Sequence, residues 1–144
     1  MLVHQIIAGK ASQSIVTLAP DATIEAAIEL LSAKRIGAIV VSEDGATPLG
    51  ILSERDIVRE MGRAGASRLR EPVSALMTSE LVSCAKSDSA DAVLGKMTEG
   101  RFRHMPVIED GRMIGFISIG DVVKARLSEL SMQKEALEGM IMGH

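Results

Sequence analysis

Aromatic residues are scarce in this sequence: Phe102 and Phe116 are present among 144 residues, with no Trp and no Tyr. Proteins that hold single-stranded nucleic acid stack its bases on aromatic side chains, and proteins that bind duplexes need a basic face. The formal net charge is -3. We therefore expect no nucleic-acid partner, and a bound purine would have to lie between aliphatic side chains.

Cysteine and long apolar runs are scarce as well. Cys84 is the single cysteine, which excludes an internal disulfide and a cysteine metal cluster. Apolar runs such as Ala38–Val41 are far too short to cross a bilayer. The residues from Met1 to Gln5 lack the basic flank and apolar run of a signal peptide. We expect a cytoplasmic protein that does not insert into membranes.

The usual signs of an active site are also missing. His4, His104 and His144 are scattered along the chain, and no serine has an evident base beside it. No spacing of metal ligands recurs. Cys84 lies on a predicted strand and is expected to be a small buried apolar residue rather than a nucleophile. The sequence predicts a protein that is not an enzyme and holds no metal.

One pattern is present twice. Gly50–Asp56 reads Gly-Ile-Leu-Ser-Glu-Arg-Asp, and 65 residues later Gly115–Asp121 reads Gly-Phe-Ile-Ser-Ile-Gly-Asp. Upstream, an offset of 66 pairs Glu43-Asp44-Gly45 with Glu109-Asp110-Gly111. Matches that recur in one order indicate an internal repeat, with one inserted residue in a turn near Ala46.

Each repeat reads as strand, helix, strand, strand, helix. The first copy predicts strands at 14–18, 36–41 and 49–52, with helices at 23–34 and 56–61; the second predicts strands at 81–83, 105–108 and 113–117, with a helix at 90–99. The expected fold is α/β (α+β), with tandem β-α-β-β-α repeats over residues 1–65 and 66–126. Neither half can bury both faces of a three-stranded sheet, so we expect packing about a pseudo-two-fold axis.

A long helix is predicted from Val122 to about Met142, and its last part, residues 127–144, extends beyond the second repeat. Its apolar residues follow a heptad seam in which Lys134 is the polar exception; they are Val123, Leu127, Leu130, Leu137 and Ile141. The helix could lie on its own domain, or it could extend past the domain and pair with a second subunit. We expect the second arrangement, a homodimer.

The Ser-x-x-Asp pattern has two interpretations. A helix that begins directly after a strand exposes unpaired amides and the positive end of its dipole, which favours a phosphate. Ser53 or Ser118 would add a hydroxyl donor, and Asp56 or Asp121 could accept hydrogen bonds from both ribose hydroxyls. The alternative is an ordinary capping box, common at helix starts.

These residues resemble a known pattern. The paired units, the stretch from Arg101 to Gly111 and the two Gly-x-x-Ser-x-x-Asp endings resemble CBS domains, a tandem pair of which forms a Bateman module. The resemblance covers about residues 2–126. It implies a non-catalytic regulatory module that binds AMP, ADP, ATP, NAD or S-adenosylmethionine in clefts between the repeats and modulates a separate partner protein.

The resemblance also implies which residues would contact the nucleotide. For the first copy these are Ser12, Ile36, Gly37, Ala38, Ser53, Arg55, Asp56 and Thr78, and for the second they are Arg103, His104, Met105, Pro106, Ser118, Gly120 and Asp121. Because Arg103-His104 stand where the first copy has Gly37-Ala38, the two sites should differ in charge and preferred ligand. An alternative function is a structural or protein-interaction module whose clefts are vestigial.

Overall fold

The computed structural model describes residues 1–10 and 15–142, so the predicted site residue Ser12 lies outside the described residues. Ten helices and strands follow in order: α1 (Val3–Ala8), β1 (Thr17–Leu18), α2 (Ile24–Lys34), β2 (Ala38–Val41), β3 (Gly50–Ser53), α3 (Glu54–Ala64), α4 (Ala90–Gly100), β4 (His104–Glu109), β5 (Arg112–Ser118) and α5 (Ile119–Ile141). Two short 3-10 turns cover Gly65–Arg68 and Val73–Ala75. The predicted mixture of helices and strands with a long C-terminal helix is confirmed.

The chain forms two compact units. Unit 1 contains the described residues within Met1–Gln13, Ser83–Glu109 and Gly115–His144, and unit 2 those within Ser14–Val82 and Asp110–Ile114. Each unit therefore takes residues from both sides of the predicted repeat boundary at 65/66. The predicted division into repeats and an extension stays a prediction.

Unit 2 is built around a three-stranded sheet with β2 in the middle. β1 pairs with β2 in parallel, β3 pairs with β2 antiparallel, and all four residues of β2 are buried. Helix α2 begins at Thr23, whose side chain accepts the Ala26 amide at 3.1 Å, and ends where Arg35 takes a left-handed conformation with φ 53°. The buried core residues come from α2, β2, β3, α3 and the Val73 turn, and partly buried Val16 and Leu18 at β1 pack against them. The buried residues are Ala27, Leu31, Ile39, Val41, Leu52, Ile57 and Val73.

Unit 1 contains β4, the part of β5 from Gly115 onward and the helices α1, α4 and α5, whereas residues 110–114, with the turn of the β4–β5 hairpin, belong to unit 2. The hairpin reverses at Asp110 and Gly111, whose φ values of 52° and 77° match a two-residue type I′ turn. The buried cluster comprises Val3, Ile6, Cys84, Ala90, Val93, Met97, Met105, Val107, Ile117, Val122 and Ala125.

The predicted strand at 81–83 is wrong, because these three residues are not in a strand and the next residue, Cys84, forms an isolated parallel bridge with Val107. In unit 2, both the Val40 and Ser42 amides donate to the strand at Val16 and Leu18, at 3.2 and 2.8 Å. The offset of 66 puts Pro106 in the place of Val40. Since proline has no N–H, the second ladder loses that bond and shrinks to one bridge.

Helix α5 leaves the core of unit 1 after about one third of its length. Val122 and Ala125 are buried, and Arg126 pairs with Asp91 at 3.0 Å and with Glu129 at 2.8 Å. From Leu130 to Met142 every residue is exposed except Gly139, which is partly buried. Within residues 1–10 and 15–142, no helix has the combination of length and apolar character that a membrane crossing requires.

Gly50 in β3 and Gly115 in β5 occupy matched positions of the two repeats, and a side chain from another segment packs directly on each of them. A Cβ on Gly50 would lie 2.4 Å from the Met77 sulfur, and a Cβ on Gly115 would lie 2.7 Å from Ile7 Cδ1. In both copies the side chain that covers the glycine comes from the turn or helix that precedes a repeat. These close approaches require a residue without a side chain.

We predict that Gly50→Ala destabilises the protein by about 1–3 kcal/mol, because the added methyl overpacks the contact with Met77. Gly95, on the exposed side of α4 with no heavy atom within 4 Å of an added Cβ, is the matched control, and Gly95→Ala should stabilise by about 0.5–1 kcal/mol. Urea unfolding curves measure both. Equal stability of Gly50→Ala and the wild type would contradict the close approach.

A cluster of charges joins the end of α3 to the following turn. Glu60 is 9% exposed and pairs with Arg63 and Arg68, and Arg68 also contacts Glu71 at 2.6 Å. Hydrogen bonds from the two guanidinium groups lower the pKa of Glu60 from 4.5 to about 2. The ionised form is therefore the one that the folded chain stabilises.

This pKa shift predicts how stability falls in acid. A carboxyl with a depressed folded pKa stabilises the fold above its unfolded pKa, and this contribution is lost as the pH falls from 4.5 towards about 2. We expect Glu60→Gln to lower the urea midpoint at pH 7 and to flatten its decline between pH 4.5 and 2. Glu99→Gln, at an exposed position on α4, is the control. An unchanged slope in Glu60→Gln would contradict the role of this cluster.

Candidate functional site

The junction between β3 and α3 brings together several predicted site residues of the first copy. Ser53 is the N-cap of α3: its hydroxyl accepts the Asp56 amide at 3.2 Å, and its own amide donates to Asp56 Oδ2 at 3.1 Å. The Ser53 hydroxyl also donates to Asp56 Oδ2 at 2.8 Å. The Glu54 amide donates to the Gly37 carbonyl at 2.9 Å, which ties the start of β2 to the start of the helix.

The junction between β5 and α5 repeats this arrangement in unit 1. The Ser118 hydroxyl accepts the Asp121 amide at 3.2 Å, and the Ser118 amide donates to Asp121 Oδ2 at 2.8 Å. The Ile119 amide donates to the Arg103 carbonyl at 2.8 Å. In both copies the carboxylate is thus held within the first turn of a helix, and the residue just before β2 or β4, at position 37 or 103, is hydrogen-bonded to the same turn. We call these two arrangements the Ser53 junction and the Ser118 junction.

The other predicted residues of the first copy that the structure describes are Ile36, Ala38, Arg55 and Thr78. Ala38 is paired with Ser53 across β2 and β3. Thr78 forms a two-hydrogen-bond bridge with Ile51, both bonds 2.9 Å long. Arg55 is exposed on the first turn of α3, whereas Ile36 is partly buried and donates its amide to Leu31 at the end of α2.

In the second copy the predicted residues have different environments. Arg103 is exposed, and His104 stacks on Phe116 with ring centroids 5.6 Å apart and an interplanar angle of 11°. Met105 and Pro106 are buried, Met105 within the core of unit 1. Gly120 lies next to the Ser118 side chain, and an added Cβ would be 3.5 Å from the Ser118 hydroxyl oxygen.

A lysine next to the undescribed residues completes the Ser118 junction. Lys10 Nζ lies 2.9 Å from Asp121 Oδ2 and donates to the Phe116 carbonyl at 2.7 Å. Partial burial disfavours the charged form of Asp121, but the Ser118 amide and the Lys10 ammonium outweigh it and lower the pKa of this carboxyl. Asp121 is therefore an ionised hydrogen-bond acceptor.

The Ser53 junction has no such lysine. The cation nearest to Asp56 in the described part of the chain is Arg59, at 3.7 Å, and its side chain is 73% exposed. Sequence reasoning missed the contact of Lys10 with Asp121, because 111 positions separate the two residues and no local pattern relates them. The one clue to this contact is that Lys10 follows closely after α1, whose Ile7 packs on Gly115 in the strand that leads to Asp121.

The single cysteine is buried, and possible metal ligands are dispersed within the described residues. Cys84 is 5% exposed, as expected of a small apolar core residue, and burial raises the pKa of its thiol to about 11. In residues 1–10 and 15–142, no three His, Cys, Asp or Glu side chains are grouped so that they could hold a metal ion.

The internal repeat agrees with comparisons to known proteins. The CBS domain family model matches residues 5–63 and 73–128, so the chain belongs to the CBS domain family. The chain is 35% identical over 127 residues to the mitochondrial CBS domain-containing protein CBSX3 of Arabidopsis thaliana, which covers 85% of this chain and 62% of that protein. It spans only 22% of a second plant relative, CBSCBSPB5.

Solved structures of CBS proteins share the fold. The crystal structure of the CBS-domain containing protein ATU1752 from Agrobacterium tumefaciens matches with a TM-score of 0.83 and 44% identity, covering 88% of this chain and 99% of that one. The CBS domain protein PAE2072 from Pyrobaculum aerophilum, complexed with AMP, matches with a TM-score of 0.77 and 26% identity over 92% of this chain and 99% of that one.

Proposed function

We propose that the chain is a non-catalytic regulatory module that binds adenosine-containing nucleotides, such as AMP, ATP or NAD, at the Ser53 and Ser118 junctions. Binding there would change the conformation or contacts of the module and so the behaviour of a separate partner protein. The observation that carries this proposal is the matched pair of carboxylates, Asp56 and Asp121, each held by backbone and serine hydrogen bonds in the first turn of a helix.

The geometry of each junction suits a nucleotide. A phosphate is favoured at a helix start by the dipole and the amides, and α3 and α5 both begin directly after a strand. The carboxylate one turn further on can accept the ribose hydroxyls in charge-assisted bonds. Arg55 in the first copy and Arg103 in the second are exposed cations near these helix starts that could reach a phosphate.

The complex of the Pyrobaculum aerophilum relative with AMP supports an adenosine ligand. Within this family we favour AMP, ATP or NAD for the present chain, with different preferences at the two junctions. The first copy offers Gly37 and Ala38 where the second offers Arg103 and His104, so the second junction is the better candidate for a ligand with more phosphate charge.

A second candidate function is an interaction module whose junctions no longer bind a ligand. The capping boxes favour it to some degree, because each serine and aspartate already satisfies the other. Under this alternative, removing either carboxylate would change the stability of the fold and would leave the affinity for adenosine nucleotides unaltered. The localisation of the protein in the cytoplasm stays a prediction.

Asp121→Ala tests the binding proposal. Loss of a charge-assisted acceptor should weaken adenosine nucleotide binding by about 1.5–3 kcal/mol, which is about ten- to hundredfold in affinity. Isothermal calorimetry with AMP, ATP and NAD measures the change, and Asp56→Ala tests the Ser53 junction in the same way.

A control is needed because Asp121→Ala also removes part of a helix cap. Ser89 caps α4 by accepting the Ala92 amide at 3.1 Å, so Ser89→Ala should cost about 0.5–2 kcal/mol of stability and leave nucleotide affinity unchanged. If neither aspartate variant changes the affinity for any adenosine ligand, the ribose role is wrong and the interaction module is favoured.

We further propose that the end of α5 pairs with a second copy of the chain. The heptad residues Leu127, Leu130, Leu137 and Ile141 are all at least half exposed, and the single polar residue of the seam, Lys134, is tied to Glu138 on the same helix at 3.9 Å. A stripe of exposed leucines on a helix that has left its core is typical of a coiled-coil contact.

Light scattering should therefore find a dimer at micromolar concentration, and Leu137→Glu should shift it to the monomer because a carboxylate cannot be buried in the seam. Met132→Glu is the matched control: Met132 is 62% exposed and Leu137 60%, but Met132 lies off the seam, so the dimer should persist. A monomeric wild-type protein would show that α5 is not a dimer contact.

A further inference from the structure

The two junctions differ in which groups already donate to the aspartate carboxylate. At the Ser118 junction, Asp121 Oδ2 accepts from the Ser118 amide at 2.8 Å and faces the Lys10 ammonium at 2.9 Å. A carboxylate oxygen offers two lone pairs, so these two donors fill Oδ2. A ribose that uses both carboxylate oxygens must displace one of them.

The lysine is the donor that can leave. The Ser118 amide is fixed by the capping box, whereas the Lys10 side chain is flexible and 30% exposed. Its second contact, with the Phe116 carbonyl at 2.7 Å, holds the ammonium at the junction while no ligand is bound. A partly exposed ion pair of this kind is weak enough to exchange.

The Ser53 junction lacks this competitor. There Asp56 Oδ2 accepts the Ser53 amide and the Ser53 hydroxyl, and a hydroxyl can rotate away without breaking an ion pair. Ile7 packs on Gly115 as Met77 packs on Gly50, and Ile7 and Met77 are 70 residues apart in the sequence. The same offset makes Glu80, which is exposed, the residue equivalent to Lys10. The two junctions therefore differ in the charge of the equivalent residue, Lys10 or Glu80, and in whether an ammonium contacts the carboxylate.

We infer, resting on the proposed function, that Lys10 is an intramolecular competitor for the Asp121 carboxylate, which ribose must displace and which selects for phosphorylated adenosine ligands at the Ser118 junction. A neutral nucleoside breaks the ion pair and leaves the ammonium with the Phe116 carbonyl but no anionic partner. A nucleotide breaks the same pair but offers the released ammonium a phosphate. Lys10 thus determines specificity without being needed to hold the ribose.

Calorimetric titration of the full chain with adenosine and with AMP tests this inference. Lys10→Met should tighten adenosine binding at the Ser118 junction by about two- to fivefold, the scale of one lost, partly exposed ion pair. AMP affinity should gain less or fall, so the ratio of AMP to adenosine affinity decreases. All variants also carry Asp56→Ala, which weakens binding at the Ser53 junction so that the titration reports on the Ser118 junction.

Two variants control for charge and for shape. Lys124 is exposed one turn beyond Asp121 on α5, so Lys124→Met makes the same change in net charge and should leave adenosine affinity unaltered. Lys10→Arg keeps a cation at the junction and should keep both affinities near those of the wild type. A purely structural role for Lys10 would not move the AMP-to-adenosine ratio.

The outcomes separate this inference from the proposal beneath it. Weaker or unchanged adenosine binding in Lys10→Met, with Asp121→Ala still reducing affinity, overturns the competitor role and leaves the nucleotide site standing. If the wild type and every variant fail to bind adenosine and AMP, the nucleotide site itself is overturned and the inference with it. Tighter adenosine binding in Lys10→Met, with Lys124→Met unchanged, supports both.

Discussion

The fold depends on how a strand can turn directly into a helix without leaving buried amides unpaired. The first amides of a helix have no partner within it, and in both copies the same three hydrogen bonds answer this constraint. The first helical amide donates to the carbonyl of the residue just before the neighbouring strand, Gly37 or Arg103, and the third donates to the capping serine. The serine amide in turn donates to the aspartate. These bonds fix the strand, the helix and the carboxylate relative to one another.

This arrangement explains why the capping box and the ligand site need not be competing interpretations of Ser-x-x-Asp. The cap uses Oδ2 of the aspartate and the serine hydroxyl, and it holds the side chain in one rotamer without neutralising its charge. A carboxylate that is already oriented loses little conformational freedom when it accepts a ligand. The local interactions that stabilise the helix start would therefore also prepare the site, and a cap of this kind is what a preorganised ribose acceptor requires.

Most of the fold could be predicted from the sequence because it rests on local patterns. The repeat offset, the 3.6-residue periodicity of α2 and α4 and the turn at Asp110-Gly111 are local signals, and the structure has each element within a few residues. The strand at 81–83 failed because its partner, not its own sequence, decides it: Pro106 removes the donor that Val40 supplies in the first copy. The contact of Lys10 with Asp121 joins distant positions, so no periodicity could reveal it.

The two copies differ in the residues around a shared frame of hydrogen bonds, including which donors reach the carboxylate. Pro106 shortens the first ladder of the second copy, Phe116 supplies both a ring for His104 and a carbonyl for Lys10, and Gly120 leaves space next to Ser118. The first copy keeps the longer ladder and an arginine at that helix position. A duplicated unit whose frame of hydrogen bonds is kept can change the residues around it freely, since none of them is needed to hold the junction. Two sites of different charge on one shared frame are the physical consequence.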